Sequence, residues 1–268
     1  MIILSLAIIC TLVYVYTKPK SFRWLALMLL LCLLMNLSTI SLVVCIHFET
    51  KKFHETHTEL LAVCMGCSIA VFNFTTNCVQ WLFSFKYWVI SYEVPQKLFE
   101  APRKSKESLY SRMNTVVVLV NFAACVWLGL SRAQVTFYDA KGSDEYLRAL
   151  DQTEDSLDVV TICLFLSALV LADALRRLKQ SFDKKHKLFM NTGLMALHIC
   201  VLIVHIGVYS WSQFCFRQAI ENPGNTDLLI RNEFSRIALF TSQSFVEAFL
   251  IYLFIKFTSP IEIQEVKA

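Results

Sequence analysis

The chain has 268 residues, of which 56% are apolar and 17% charged, with a formal net charge of +4. Its mean hydropathy is +0.53. A soluble domain carries about 25% charged residues, so these figures exclude a soluble globular enzyme, a disordered chain and a nucleic-acid-binding module.

Seven apolar stretches approach or exceed the roughly 20 residues a helix needs to cross ~30 Å of hydrocarbon. They cover residues 1–16, 24–48, 59–85, 113–131, 156–175, 188–212 and 236–257. Lipid offers the backbone no hydrogen bonds, so only helices and closed barrels cross it. The ten-residue alternation of a barrel is missing. The five prolines, Pro19, Pro95, Pro102, Pro223 and Pro260, all fall outside the stretches. The expected fold is all-α: one integral membrane seven-helix bundle over residues 1–268, with no appended soluble domain. Plasma membrane and endomembrane are not distinguished.

The first stretch is short enough to be a signal peptide. No Lys or Arg precedes it, no small-x-small site ends it, and Lys18, Lys20 and Arg23 follow it. A retained helix with its N-terminus outside is expected. The second stretch carries Asn36. Asn36-Leu37-Ser38, like Asn73-Phe74-Thr75 further on, matches the glycosylation pattern at membrane depth, where no transferase reaches. His54, Glu55, His57 and Glu59, with His47 nearby, read as a solvated outer loop, the alternative being a shared metal.

In the third stretch Asn73, Thr76, Asn77, Gln80 and Ser84 fall at i, i+3, i+4, i+7 and i+11, which is one helical face. Trp81, Phe83, Phe85, Tyr87, Trp88 and Tyr92 follow and read as a water–lipid boundary. The helix is expected to stop near Pro95. The fourth stretch adds Asn114 and Asn121. The acidic segment 139–158, with Asp144, Glu145, Asp151, Glu154 and Asp155, reads as a solvated loop with room for a short surface helix. Its spacing is not that of a calcium loop. Asp173, near the inner end of the fifth stretch, sits beside Arg176 and Arg177. In the sixth, Asn191, His198, His205 and Ser212 repeat every seven residues. In the seventh, Arg236, Gln243 and Glu247 share a face.

Counting Lys and Arg in alternate loops gives 17 on one side and 8 on the other. The positive-inside rule puts the richer set in the cytoplasm, hence N-terminus outside and C-terminus cytoplasmic. Two inner clusters, Arg103-Lys104-Ser105-Lys106 and Lys184-Lys185-His186-Lys187, either set topology alone or bind anionic lipid or a cytosolic partner.

Amides and charges avoid lipid, so the polar faces should turn toward one another. This places the third helix centrally, with the fourth, sixth and seventh around it. By the helical rise, Glu247 lies about 16 Å below the outer end of its helix, His205 about 10 Å and His198 about 21 Å. A contact between Glu247 and a histidine, with Asn73 or Asn77 as third partner, is therefore expected. The interior set is Glu247, His198, His205, Asn73, Asn77, Gln80, Gln243 and Asn121. It reads either as a proton, cation or ligand site, or as polar glue worth on the order of 1 kcal/mol per contact.

Nearly all of the ten cysteines fall inside stretches, where a thiol packs as a small apolar group. Cys45, Cys64, Cys67 and Cys215 lie near outer ends, where one disulfide is conceivable. Cys64-Met65-Gly66-Cys67 is a lone CxxC, a weak signal. No HExxH, P-loop or GxGxxG occurs. No metal, cofactor or catalysis is expected.

The layout resembles G-protein-coupled receptors, yet Ser91-Tyr92-Glu93 stands where a DRY motif would be, and the last stretch lacks NPxxY. A retinal protein would need a mid-helix lysine there, and Lys256 is at its end. A PQ-loop sugar transporter would need a second copy of Pro95-Gln96. The segment Trp81-Leu82-Phe83-Ser84-Phe85-Lys86-Tyr87-Trp88-Val89-Ile90-Ser91-Tyr92-Glu93-Val94-Pro95 resembles one in uncharacterised multi-span membrane proteins of ciliated protists. That resemblance implies a membrane protein and no particular activity. The expected function is receptor-like or signalling, with unbroken helices and two basic inner loops. The rival is a proton- or cation-linked transporter using Glu247, His198 and His205. Only six glycines and no mid-span proline argue against the broken helices common in transporters.

Overall fold

The computed structural model describes residues 6, 8–13, 23–49, 53–98, 106–139, 144–181, 188–222 and 225–257. Among these residues there is no strand. A short helical stretch, α1 (residues 8–13), is followed by α2 (Arg23–Glu49), α3 (Phe53–Leu98), α4 (Lys106–Asp139), α5 (Asp144–Ser181), α6 (Leu188–Glu221) and α7 (Thr226–Phe257). Five of them, α2 to α6, are long and apolar enough to cross a membrane. The chain is thus a multi-pass, all-helical membrane protein.

The surface is inverted relative to a soluble domain. Val204 is 63% exposed, Phe234 65% and Leu119 60%, while Gln80 and His198 are 0% exposed. A soluble monomer rarely shows contiguous apolar patches beyond a few hundred Å². Here they cover the outer faces of the spanning helices, as lipid contact requires.

The helices outrun the oil. At ~1.5 Å per residue, the 46 residues of α3 extend about 69 Å, twice the hydrocarbon thickness. This corrects several boundaries read from hydropathy. The segment around His54 and His57 is the first turn of α3, not a loop. Most of the acidic segment 139–158 belongs to α5, which begins at Asp144. The chain stays helical through Pro95 to Leu98. Hydropathy marks where oil ends, whereas a helix continues wherever its polar residues still favour one. A proline so near the C-terminus removes only one late hydrogen bond. α7 starts on a side-chain cap: Asn225 Oδ1 accepts from the Asp227 and Leu228 amides at 3.1 and 3.4 Å.

α3 is the central element, but its close neighbours are α2, α4 and α5. Of the expected surround, the fourth helix packs directly on α3, the sixth and seventh meet its polar face through side chains, and α2 and α5 are close neighbours the polar pattern did not give. α6 packs on α5 and α7, α7 also touches α2, and long side chains carry α6 and α7 across to α3. Ile8, Met28, Phe83, Leu171, Met195 and Leu250, from six helices, share one apolar cluster.

The tightest seam joins α3 to α4. A Cβ on Gly129 would stand 2.6 Å from the Gly66 carbonyl oxygen and 2.7 Å from Ala70 Cβ. Gly66-x-x-x-Ala70 thus faces Gly129-x-x-x-Ala133, a small-xxx-small pair that lets two backbones touch. The glycine inside the lone CxxC serves this seam. Among the described residues no disulfide links the cysteines.

Candidate functional site

The polar face of α3 turns into the bundle, and its residues bond outward in several directions. Asn77 Nδ2 donates to Asn121 Oδ1 of α4 and to the Val160 carbonyl of α5, both at 3.0 Å. Asn73 Nδ2 donates back to the Ile69 carbonyl at 2.9 Å, and Asn73 Oδ1 accepts from the Tyr209 hydroxyl of α6 at 3.3 Å. Gln80 Oε1 meets His198 Nε2 of α6 at 2.9 Å. Gln243 Nε2 of α7 reaches Thr76 Oγ1 at 3.3 Å and Met35 Sδ at 3.0 Å. His205 Nδ1 meets Ser242 Oγ of α7 at 3.0 Å. All these residues except Ile69 and Ser242 are buried.

The structure therefore distributes the interior set over discrete pairs. His198 and His205 find Gln80 and Ser242. Glu247 lies in α7, but its side chain is outside the described residues, so its contact with a histidine lies outside them too. Of the basic clusters, Arg103, Lys104, Lys184, Lys185 and Lys187 are outside the described residues, and Lys106 is described only as the first residue of α4.

One column of polar atoms stays unsatisfied. Ser84 Oγ, Gln80 Nε2, His198 Nδ1 and Gln243 Oε1 are buried without a hydrogen-bond partner. A buried unpaired group costs about 1–3 kcal/mol.

The aromatic cluster splits. Trp81 and Phe83 are core residues rather than boundary residues. Trp81 Nε1 donates to Asn114 Oδ1 at 2.9 Å, and Phe83 packs edge-on against His198. Trp88 is half-buried and donates to Asp173 Oδ2 at 3.2 Å. Asp173 also holds Arg176 at 2.9 Å and Arg177 at 2.8 Å, as its place beside them suggests.

A cavity lies elsewhere, toward the ends of the helices that carry Arg132 and Arg236. It is partly open, holds about 120 Å³, and draws its lining from all six long helices. Its base is apolar, with Leu42, Met65, Phe72 and Leu128. Its polar groups are Asn73, Thr153, Tyr209, Ser212, Gln213, Asn232, Arg132 and Arg236. Both arginines approach Phe216, with the Arg132 guanidinium 4.5 Å and the Arg236 guanidinium 5.8 Å from its ring centre. Of this lining, sequence patterning marked Asn73, Ser212 and Arg236 and missed the rest. Its residues sit near helix ends on separate helices, and no periodicity links them. The spacing of the seventh stretch puts Arg236 on a polar face, and Arg132 counts only as a loop charge.

Among the described residues no group of three or more His, Cys, Asp or Glu could hold a metal ion. Comparison with protein-family models, curated proteins and solved structures gave no match.

Proposed function

We propose that this chain is a seven-helix receptor with its N-terminus outside, its C-terminus in the cytoplasm and a ligand pocket at the outer end. In this reading α1 and α7 join the five spanning helices. The supporting charge asymmetry is 17 Lys and Arg in the inner loops against 8 in the outer set, which includes Arg132 and Arg236. The observation that carries the reading is the partly open cavity on which six helices converge. A ligand touching six helices at once can bias how they pack, which is what a receptor needs. The chain performs no catalysis in this account. The bilayer is its first partner. Arg103, Lys104, Lys106, Lys184, Lys185 and Lys187 offer inner charge to anionic lipid or to a cytosolic protein. The resemblance of Trp81–Pro95 would set the receptor beside the ciliate membrane proteins.

A proton- or cation-linked transporter is the second reading. The unsatisfied column of Ser84, Gln80, His198 and Gln243 favours it, with Glu247 one turn beyond Gln243. Proteoliposomes holding the full chain and a trapped pH dye separate the two. The receptor reading expects no proton or sodium flux under either gradient. Flux that disappears in Glu247→Gln would replace it with the transporter.

A further inference from the structure

We infer that the pocket takes a small neutral molecule, one compact apolar ring carrying a hydrogen-bond donor, in the manner of a phenol. This rests on the reading of the cavity as a ligand site and adds the ligand's chemistry. What the protein leaves unpaired in the lining defines that chemistry.

The charges of the lining are already engaged. Arg236 pairs with Glu233 at 3.3 Å and approaches the Phe216 ring. The Arg132 guanidinium lies 4.5 Å from the same ring centre and has a further partner. A carboxylate ligand would have to displace contacts that the protein makes for itself. A cationic ligand fares worse. Among the described residues no Asp or Glu lines the cavity, so a desolvated ammonium would meet two guanidinium groups and no counter-charge.

An amide oxygen, by contrast, is left over. Asn232 is 6% exposed and lines the cavity, and its Oδ1 has no hydrogen-bond partner among the described residues. A carbonyl oxygen only accepts, so the group that satisfies it brings an O–H or N–H. Gln213, half-buried, adds a second side-chain amide to the lining, with one acceptor and two donors. A hydroxyl both gives and receives a hydrogen bond, and so suits two amides without carrying charge.

The rest of the lining asks for an apolar body. Water alone would satisfy Asn232 but leave Leu42, Met65 and Phe72 wet, whereas a hydroxylated ring covers them as well. A cavity of roughly 150 Å³ lined by apolar side chains accepts benzene. The cavity here, partly open and of about 120 Å³, matches one small ring.

The test titrates the full chain in nanodiscs with 4-fluorophenol and its near-isostere 4-fluorotoluene, followed by fluorine nuclear magnetic resonance. Empty nanodiscs subtract what dissolves in lipid. The phenol is expected to bind at least about tenfold more tightly, the scale on which one recovered buried hydrogen bond changes an affinity. 4-Fluorobenzoate and 4-fluorobenzylamine, similar in size and opposite in charge, should both bind more weakly than the phenol. Asn232→Leu should bring the phenol down to the affinity of the toluene, and thermal unfolding of the unliganded variant separates lost binding from lost folding. Gln213→Leu, at a half-buried position, should weaken the phenol a few-fold and leave the toluene unchanged. If phenol and toluene bind the wild-type chain equally, or the preference survives Asn232→Leu, the donor assignment falls and the pocket reading stands. If the benzoate or the amine binds more tightly than the phenol, the neutral assignment falls and the pocket reading again stands. If no compound binds above the empty-nanodisc level, both fall.

Discussion

Gly129→Ala tests the α3–α4 seam most sharply. The new Cβ would meet the Gly66 carbonyl oxygen at 2.6 Å and Ala70 Cβ at 2.7 Å. Comfortable contact needs about 3.5 Å, so α3 and α4 must part by on the order of 1 Å. The nearest atoms are backbone and a methyl group, and neither can rotate aside. A gap of that size forfeits a quarter to a half of each contact's well, at ~0.1–0.2 kcal/mol per atom pair. Over a few tens of pairs along the seam, the loss is about 2–3 kcal/mol. Alanine's better helix propensity returns up to about 1 kcal/mol, leaving net destabilisation of about 1–2 kcal/mol. Gly193 and Gly207 supply the internal control, because a Cβ at either meets nothing within 4 Å. Gly193→Ala and Gly207→Ala should be neutral or slightly stabilising. The assay is unfolding by sodium dodecyl sulfate in mixed micelles, followed by circular dichroism. Gly129→Ala as stable as Gly193→Ala would refute the close seam.

Three further outcomes follow from the polar pairs. His198→Phe leaves Gln80 Oε1 without its 2.9 Å partner and should cost about 1–3 kcal/mol, whereas His198→Phe with Gln80→Leu should recover most of that in the same unfolding assay. Equal losses in the single and double variants would contradict the pair. Asn77→Leu breaks bonds to two helices at once and should destabilise by about 1–2 kcal/mol; a change below a few tenths would show that the amide ties nothing. Glu154→Gln removes an ion pair to Arg217 whose side chains are about half exposed, so stability should move by less than about 0.5 kcal/mol.

The sequence reading succeeded where one physical rule dominated. Oil forces apolar residues outward and amides inward, so the inward turn of Asn73, Asn77, Gln80 and Gln243 could be read from helical spacing alone. It failed where two rules competed. Hydropathy located the oil and missed the helices' continuation beyond it, as at Asp144 and Pro95. Trp81 and Phe83 carry the residue types of a membrane boundary, yet packing claimed them for the core. Pairing was the least legible feature. Spacing along α3 orders the side chains on one face but does not say which neighbour each meets. The pocket was hidden for the same reason: Arg132, Phe216 and Arg236 converge only once three helices are placed together. Gly66 and Gly129, 63 positions apart, gave no sign of their contact.

The central claim is that lipid surrounds the outer faces and polar residues occupy the interior. Spin labels at Leu119→Cys, Val204→Cys and Asn77→Cys, each in a full chain whose ten native cysteines are replaced by serine or alanine, test it directly in bilayers through collision with oxygen, which enters lipid, and with a nickel chelate, which stays in water. The account predicts oxygen collisions at 119 and 204 with almost none from nickel, and restricted access to both agents at 77. Nickel collisions at 119 and 204, or free oxygen access at 77, would contradict it.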